Sequence, residues 1–225
     1  MSQTKVILFD SNETLLDLAA LDPHFARAFG DAALRRAWFT QLLQLFLTAT
    51  VVEQYEDFAT LADAALDIIA TLRGATLGTH DRHAIQDALL HLPAHPDVRP
   101  ALERLHATDL RLAVLTNSTA AMANAQMAHA RIDDCFEVVL SADAVRRYKP
   151  SREAYTYAAR RLDVDLGEIR LVAAHGWDVT GALAAGCCAA FVGRPGQVLY
   201  PHGARPDIVG ATMGDVITKI IHRDT

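Results

Sequence analysis

The chain is poor in the residues that staple or anchor a protein. Its 225 residues include three cysteines, Cys135 and the neighbours Cys187 and Cys188. An odd count with two adjacent members makes neither a disulfide framework nor metal-ligand spacing, so all three read as small buried hydrophobes in a reducing compartment. No apolar run reaches the roughly 20 residues that a membrane-spanning helix needs. No block of lysine and arginine occurs, and the formal net charge is -6, which argues against nucleic acid or an anionic membrane as partner. Met1 leads almost directly into a strand-like run, so the expectation is a cytoplasmic protein without a secretory leader. What the chain does have is 51% hydrophobic residues, enough for one α/β domain or for a core with a smaller insertion.

The stretch Lys5-Val6-Ile7-Leu8-Phe9-Asp10-Ser11-Asn12-Glu13-Thr14-Leu15 organises the rest. A β-branched and aromatic run that stops at an aspartate reads as a buried parallel strand delivering one carboxylate to the carboxyl edge of an α/β sheet. Open α/β sheets bind their ligands at that edge. Asp10 alone has a plainer reading as a turn or N-cap residue.

From Leu15 to Pro93 the strand character disappears. Apolar residues recur at helical spacing over 32–50 and 58–72, and a further helix begins near Thr79. This block is too long for a simple crossover, which predicts a helical cap over 15–93 inserted into a core made of 1–14 and 94–225. Strand-helix alternation resumes after Pro96, with strands expected at 111–115, 137–140, 169–173 and 189–192. The fold class predicted is α/β, a doubly wound parallel sheet.

Polar groups follow the ends of successive strands: Asp10, Thr116-Asn117, Lys149 in a loop, and His175 with Asp178. An aspartate nucleophile needs a cation to keep it ionised, donors for the leaving group, and a base to prepare water. Lys149 suits the first role, Asn117 and Thr14 the second, and Asp178 or His175 the third. Each has an ordinary alternative: a solvated loop lysine, helix caps at Asn117 and Asp178, a histidine bonded at the sheet edge.

The pieces Phe9-Asp10-x-x-x-Thr14-Leu15, Leu115-Thr116-Asn117-Ser118, Tyr148-Lys149-Pro150 and Trp177-Asp178-x-Thr180-Gly181-Ala182 together resemble the haloacid dehalogenase superfamily, in its type II (L-2-haloacid dehalogenase) branch. The resemblance implies that Asp10 displaces halide from a small 2-haloalkanoic acid and forms an ester, which water opens to a 2-hydroxy acid. It implies that Thr116, Asn117 and the backbone of Ser11 and Asn12 hold the substrate carboxylate or leaving group, and that Asp178 places the water. It also implies no cofactor, no metal, a small carboxylate and halide as the only ligands, and a homodimer formed through apolar cap residues. Two other readings compete: a Mg²⁺-dependent phosphohydrolase on Asp10, and a weakly catalytic carboxylate-binding relative. Against the first, position 12 is Asn, which cannot protonate a leaving alcohol.

Three departures from the branch stand out. Glu13 adds a negative charge beside a site meant for an anion, unless it turns outward or pairs with an arginine. Phe39 follows Trp38 where the branch carries a cap arginine, and Arg35 and Arg36, one turn earlier, are expected on the surface. Ala173 and His175 replace the usual Ser and Asn. Phe39, Tyr55 and Phe58 are expected to wall the cleft, with His175, Trp177 and Tyr55 as compact donors that could hold fluoride in place of the absent arginine.

Overall fold

The computed structural model describes residues 3–225; Met1 and Ser2, part of the expected first core segment, lie outside the described residues. Six parallel strands form one sheet: β1 (Val6–Phe9), β2 (Arg111–Thr116), β3 (Val138–Ser141), β4 (Ile169–Ala173), β5 (Cys188–Val192) and β6 (Ile208–Gly210), in the order β3-β2-β1-β4-β5-β6. β1 lies in the middle because its four residues are all fully buried and apolar, suited to a strand covered on both faces. The strand order reverses beside β1, so the carboxyl end of β1 opens into the crevice between β2 and β4.

Nine α-helices accompany the sheet among the described residues: α1 (Asp22–Phe29), α2 (Leu34–Val51), α3 (Phe58–Leu72), α4 (Thr79–Leu90), α5 (Val98–Leu105), α6 (Ala120–His129), α7 (Arg152–Leu162), α8 (Gly176–Ala185) and α9 (Met213–Asp224). α7 and α8 cover one face, packing on Val6, Leu8, Leu115 and Leu171. α5 and α9 cover the other, against Ile7, Phe9, Val114 and Val172. The sheet is therefore doubly wound, as the strand-helix alternation predicts. No described helix is long and apolar enough to cross a membrane.

Between Leu18 and Leu90 the chain is helical. α3 starts where the Asp57 carboxylate accepts the Thr60 N–H at 2.8 Å, and α1 stops at Gly30, whose φ of +74° favours a residue without a side chain. Trp38, Phe25, Phe46 and Phe58 fill the block's interior, each large apolar side chain contributing about 1.5–3 kcal/mol by leaving water. The chain leaves and rejoins the sheet side by side. Asp17 N–H donates to Pro93 O at 2.8 Å, His95 N–H donates to Leu15 O at 2.9 Å, and Leu16 and Ala94 form an isolated bridge.

β6 and α9 extend the fold beyond the last strand expected from sequence. β6 is three residues with an exposed centre, too short to show a period. α9 is tied to the sheet by Arg170, which donates to Asp224 at 2.6 Å and to Asp207 at 2.5 Å.

Candidate active site

Asp10 sits just past β1, with its N–H bonded to Val172 O at 3.0 Å, so the backbone is held in line with the sheet and the side chain projects from its carboxyl edge. Lys149 reaches it from the loop before α7. Its ammonium donates to Asp10 Oδ1 at 2.8 Å, Asp178 Oδ2 at 2.6 Å and Leu115 O at 2.8 Å. Three acceptors satisfy three ammonium protons. The lysine is buried, which alone would lower its proton affinity, but Asp10 and Asp178 together raise it above the ordinary value. Asp10 is governed by the same balance with the sign reversed. Burial disfavours its charge, and Lys149 and His175 override that and hold the carboxyl well below the usual range.

The other Asp10 oxygen, Oδ2, accepts the Thr14 hydroxyl at 2.7 Å and lies 3.0 Å from His175 Nδ1. Thr14 Oγ1 in turn accepts Ala174 N–H at 2.9 Å, tying the loop after β1 to the end of β4. The far nitrogen of His175, Nε2, is 3.1 Å from Glu13 Oε2. Burial opposes protonation of this imidazole, yet its bonds to Asp10 and Glu13 push its pKa up to about 9. Glu13 is shifted down: burial opposes its charge, and His175 and then Arg35 more than compensate. Arg35 Nη1 donates to Glu13 Oε1 at 2.9 Å and Nε to Asp22 at 2.7 Å. Four buried or half-buried carboxylates, Asp10, Glu13, Asp22 and Asp178, thus face three cations, Lys149, His175 and Arg35. Each of these charges has a partner, and an unpaired buried charge would cost several kcal/mol.

Above His175 lies a cavity of about 250 Å³, walled by Glu13, Arg36, Phe39, Trp177 and the turn Pro195–Gln197. The imidazole is held between the Phe39 and Trp177 rings, at centroid distances of 5.7 and 5.1 Å. A larger hollow of about 670 Å³ opens at the opposite end of the sheet, around Thr4, Lys5 and Arg111, remote from Asp10 and His175.

Several expected residues stand elsewhere than the sequence suggests. Arg35, expected on the surface, is 4% exposed because Glu13 and Asp22 draw it inward; Arg36 is exposed and reaches the cavity rim. The aromatic wall is divided. Phe39 lines the cavity, whereas Phe58 packs on Phe46 inside the helical block, and the Tyr55 ring stacks on Tyr148 with its hydroxyl bonded to Asp143. The Asn117 side chain accepts Lys149 N–H at 2.8 Å and donates to Lys149 O at 3.2 Å, so it fixes the lysine's backbone rather than facing the cavity. Thr116 Oγ1 accepts Ser118 N–H and holds the turn after β2. Ser11 Oγ is buried without a partner, and Asn12 Nδ2 donates to Ser118 at 3.3 Å. Asp178 is wholly buried, bonded to Lys149 and to the Tyr155 hydroxyl at 2.5 Å. Burial and the second carboxylate, Asp10, make it harder to ionise than usual, with Lys149 opposing.

The family model for haloacid dehalogenase-like hydrolases matches residues 4–186. The chain belongs to that family. An (S)-2-haloacid dehalogenase 4A from Burkholderia cepacia is 32% identical over 79% of this chain and 78% of its own length. An (S)-2-haloacid dehalogenase from Pseudomonas sp. (strain YL) is 29% identical over 92% of this chain and 90% of its own. A dehalogenase solved with an intermediate complex superimposes with a TM-score of 0.91 at 26% identity, covering 97% of this chain and 98% of that one. Asp10, Asn117, Lys149, His175 and Asp178 all lie within the matched span.

Sequence reasoning missed three parts of the site in this family member. Tyr155 lies on the helical face of α7 that its period assigns to the core, and nothing marks its hydroxyl as a partner for Asp178. Arg35 and Gln197 reach Glu13 from 22 and 184 residues away, beyond any local pattern. Gly181, by contrast, is explained. A Cβ there would lie 2.4 Å from Pro150 Cβ and 2.8 Å from the Tyr155 hydroxyl. Gly181→Ala is expected to cost about 1–3 kcal/mol through this clash. It would also lower kcat by displacing the peptide that carries Lys149. Thermal melting and turnover measured together check this; an unchanged pair would remove the packing argument.

Proposed function

We propose that the protein hydrolyses short 2-haloalkanoic acids to 2-hydroxy acids through an ester on Asp10. The observation that carries the reading is the contact of a fully buried lysine with Asp10 at 2.8 Å, backed by a histidine-carboxylate pair on the other oxygen. Asp10 attacks the carbon bearing the halogen, the carbon-halogen bond breaks, and halide leaves with the bonding pair. Arg36 is the cation at the cavity rim, and Arg35 is engaged by Glu13 and Asp22. Lys149 keeps Asp10 anionic before the attack and polarises the ester carbonyl after it. The cavity of about 250 Å³ is lined by His175, which bonds Asp10, and not by Asp10 itself, and it has room for a small acid only.

The second step follows from the first. Once Asp10 is esterified it carries no charge, so His175 loses one of the two anions that raise its proton affinity and releases its proton to solvent. The neutral imidazole then takes a proton from the water that attacks the Asp10 carboxyl carbon, with Glu13 steadying the imidazolium that forms. The acyl C–O bond breaks, the imidazolium gives that proton to the departing alkoxide of the 2-hydroxy acid, and the remaining proton of the Asp10 carboxyl passes to His175, which restores the carboxylate. His175 is better placed than Asp178 for this role, because Asp178 is closed off behind Lys149 and Tyr155.

The same reading makes residues 15–93 a cap that closes over the site, supported by the Phe39–His175 contact between helix and sheet edge. It makes the enzyme a cytoplasmic homodimer. Support comes from the exposed apolar side chains Val51 on α2 and Leu72 on α3, and from three free cysteines.

The test is halide release from short 2-halo acids, fluoroacetate included, without added metal, beside a generic phosphate ester with Mg²⁺. Halide release is expected, rising with pH along a limb that lies below the resting His175 value of about 9. Turnover of the phosphate ester alone would overturn the proposal.

A further inference from the structure

Glu13 is held in a way that a surface glutamate is not. Its φ is +60°, in the left-handed region that a residue with a Cβ enters at a cost, so something must hold it there. Four contacts do. Arg35 donates to Oε1 at 2.9 Å, and Gln197 Nε2 donates to Oε2 at 2.6 Å. That same Oε2 is the atom 3.1 Å from His175 Nε2. Arg194, three residues before Gln197, donates through Nε and Nη2 to the carbonyl of Thr14, the next residue. The loop after β5 therefore grips two consecutive residues of the loop after β1, one by side chain and one by backbone. Gly196, at a φ of +84°, makes the turn that brings Gln197 inward.

We propose that Gln197 is a positioning residue that competes with His175 for one oxygen of the Glu13 carboxylate, which Arg35 holds in place, and so sets how readily His175 takes the proton of the attacking water. The inference rests on the role given to His175 above. Gln197 and His175 share one carboxylate oxygen, so a donor at 197 draws electron density that would otherwise strengthen the bond to the imidazole. The other charged groups around His175 are distributed over several elements: Asp10 with Lys149 behind it, Asp178 beyond Lys149 on its own helix, Arg35 behind Glu13, Arg36 at the rim, and Arg194 on the same loop as Gln197. Of the residues that contact Glu13 directly, Gln197 is the uncharged one and lies on a half-exposed loop, where substitutions of either sign are tolerated.

The experiment titrates His175 by ring NMR in the substrate-free protein, with its signal identified by its loss in His175→Gln. It compares the parent with Gln197→Lys and Gln197→Leu, and records the pH profile of halide release for each. Gln197→Lys should lower the His175 midpoint by about one pH unit, a tenfold change in proton affinity. Gln197→Leu, which removes the donor, should raise it. The acidic limb of turnover should move with the midpoint in each variant. Midpoints that stay together, or that move in the same direction, would overturn the proposal, as would a limb that ignores a split in the midpoints. Split midpoints in a protein that releases no halide would support the control of His175 by Gln197 while sinking the dehalogenase reading.

Discussion

Asp10→Asn should fold, bind and fail to turn over, with halide release falling by at least about 10⁴-fold, the scale set by removing a nucleophile from a unit that acts together. The fold should survive because the variant leaves no cation stranded: Lys149 keeps Asp178 and Leu115 O, and His175 keeps Glu13. The parent protein supplies the sharper measurement. A single turnover in heavy-oxygen water should place the label in the Asp10 carboxylate, because water attacks the carboxyl carbon while the product takes its hydroxyl oxygen from the protein. Label found only in the hydroxy acid would mean direct displacement by water, and the ester route would be abandoned.

Lys149→Met has the larger effect on stability. The ammonium stands between two buried carboxylates, 2.8 Å from one and 2.6 Å from the other. Removing it leaves like charges facing each other in a dry interior. Breaking a buried ion pair costs about 3–5 kcal/mol, and for a chain of this size each kcal/mol lowers Tm by about 2–4 °C. The pH dependence has a definite sign. Without the lysine, one carboxylate of the pair takes up a proton more readily folded than unfolded, so its folded pKa is raised. The deficit is then full at neutral pH and shrinks as pH falls through that raised value. Denaturant unfolding at about pH 8 and about pH 5 should show the smaller difference from the parent at the lower pH. Equal deficits at both would mean that packing, rather than charge, is what Lys149 contributes. Halide release should be lost at either pH.

Much of this architecture is legible in the one-dimensional pattern. Asp10, Asn117, Lys149 and His175 each follow an apolar run or a turn signal, because a parallel sheet collects such positions at one edge. The helical period of α3 and its Gly74 stop are local, and its bounds are those that the sequence predicts. What stayed hidden is pairwise. That Glu13 could pair with an arginine is legible, but which one is not: Arg35 enters the interior to do so, and nothing in the spacing of α2 distinguishes it from Arg36. Phe39, Tyr55 and Phe58 are three aromatics with the same apparent logic, but α2, the loop after it and α3 turn them toward three different neighbours. β6 and α9 went unread because a three-residue strand carries no period, and the buried arginine that anchors them sits in β4.

The side-by-side passage of the chain at Leu15–Asp17 and Pro93–His95 has an evolutionary consequence. A segment whose two ends meet can grow, shrink or be exchanged while the strands beneath keep their register. Leu15, Leu16, Leu18 and Leu92 at the seam, and the contacts of Phe39 with His175 and of Phe46 and Tyr55 with Tyr148, are what such a change would have to repack. Phe39 and Arg36, which wall the cavity above His175, belong to that segment, so the shape of the cavity can change while Lys149, Asp10 and Asp178 keep their places.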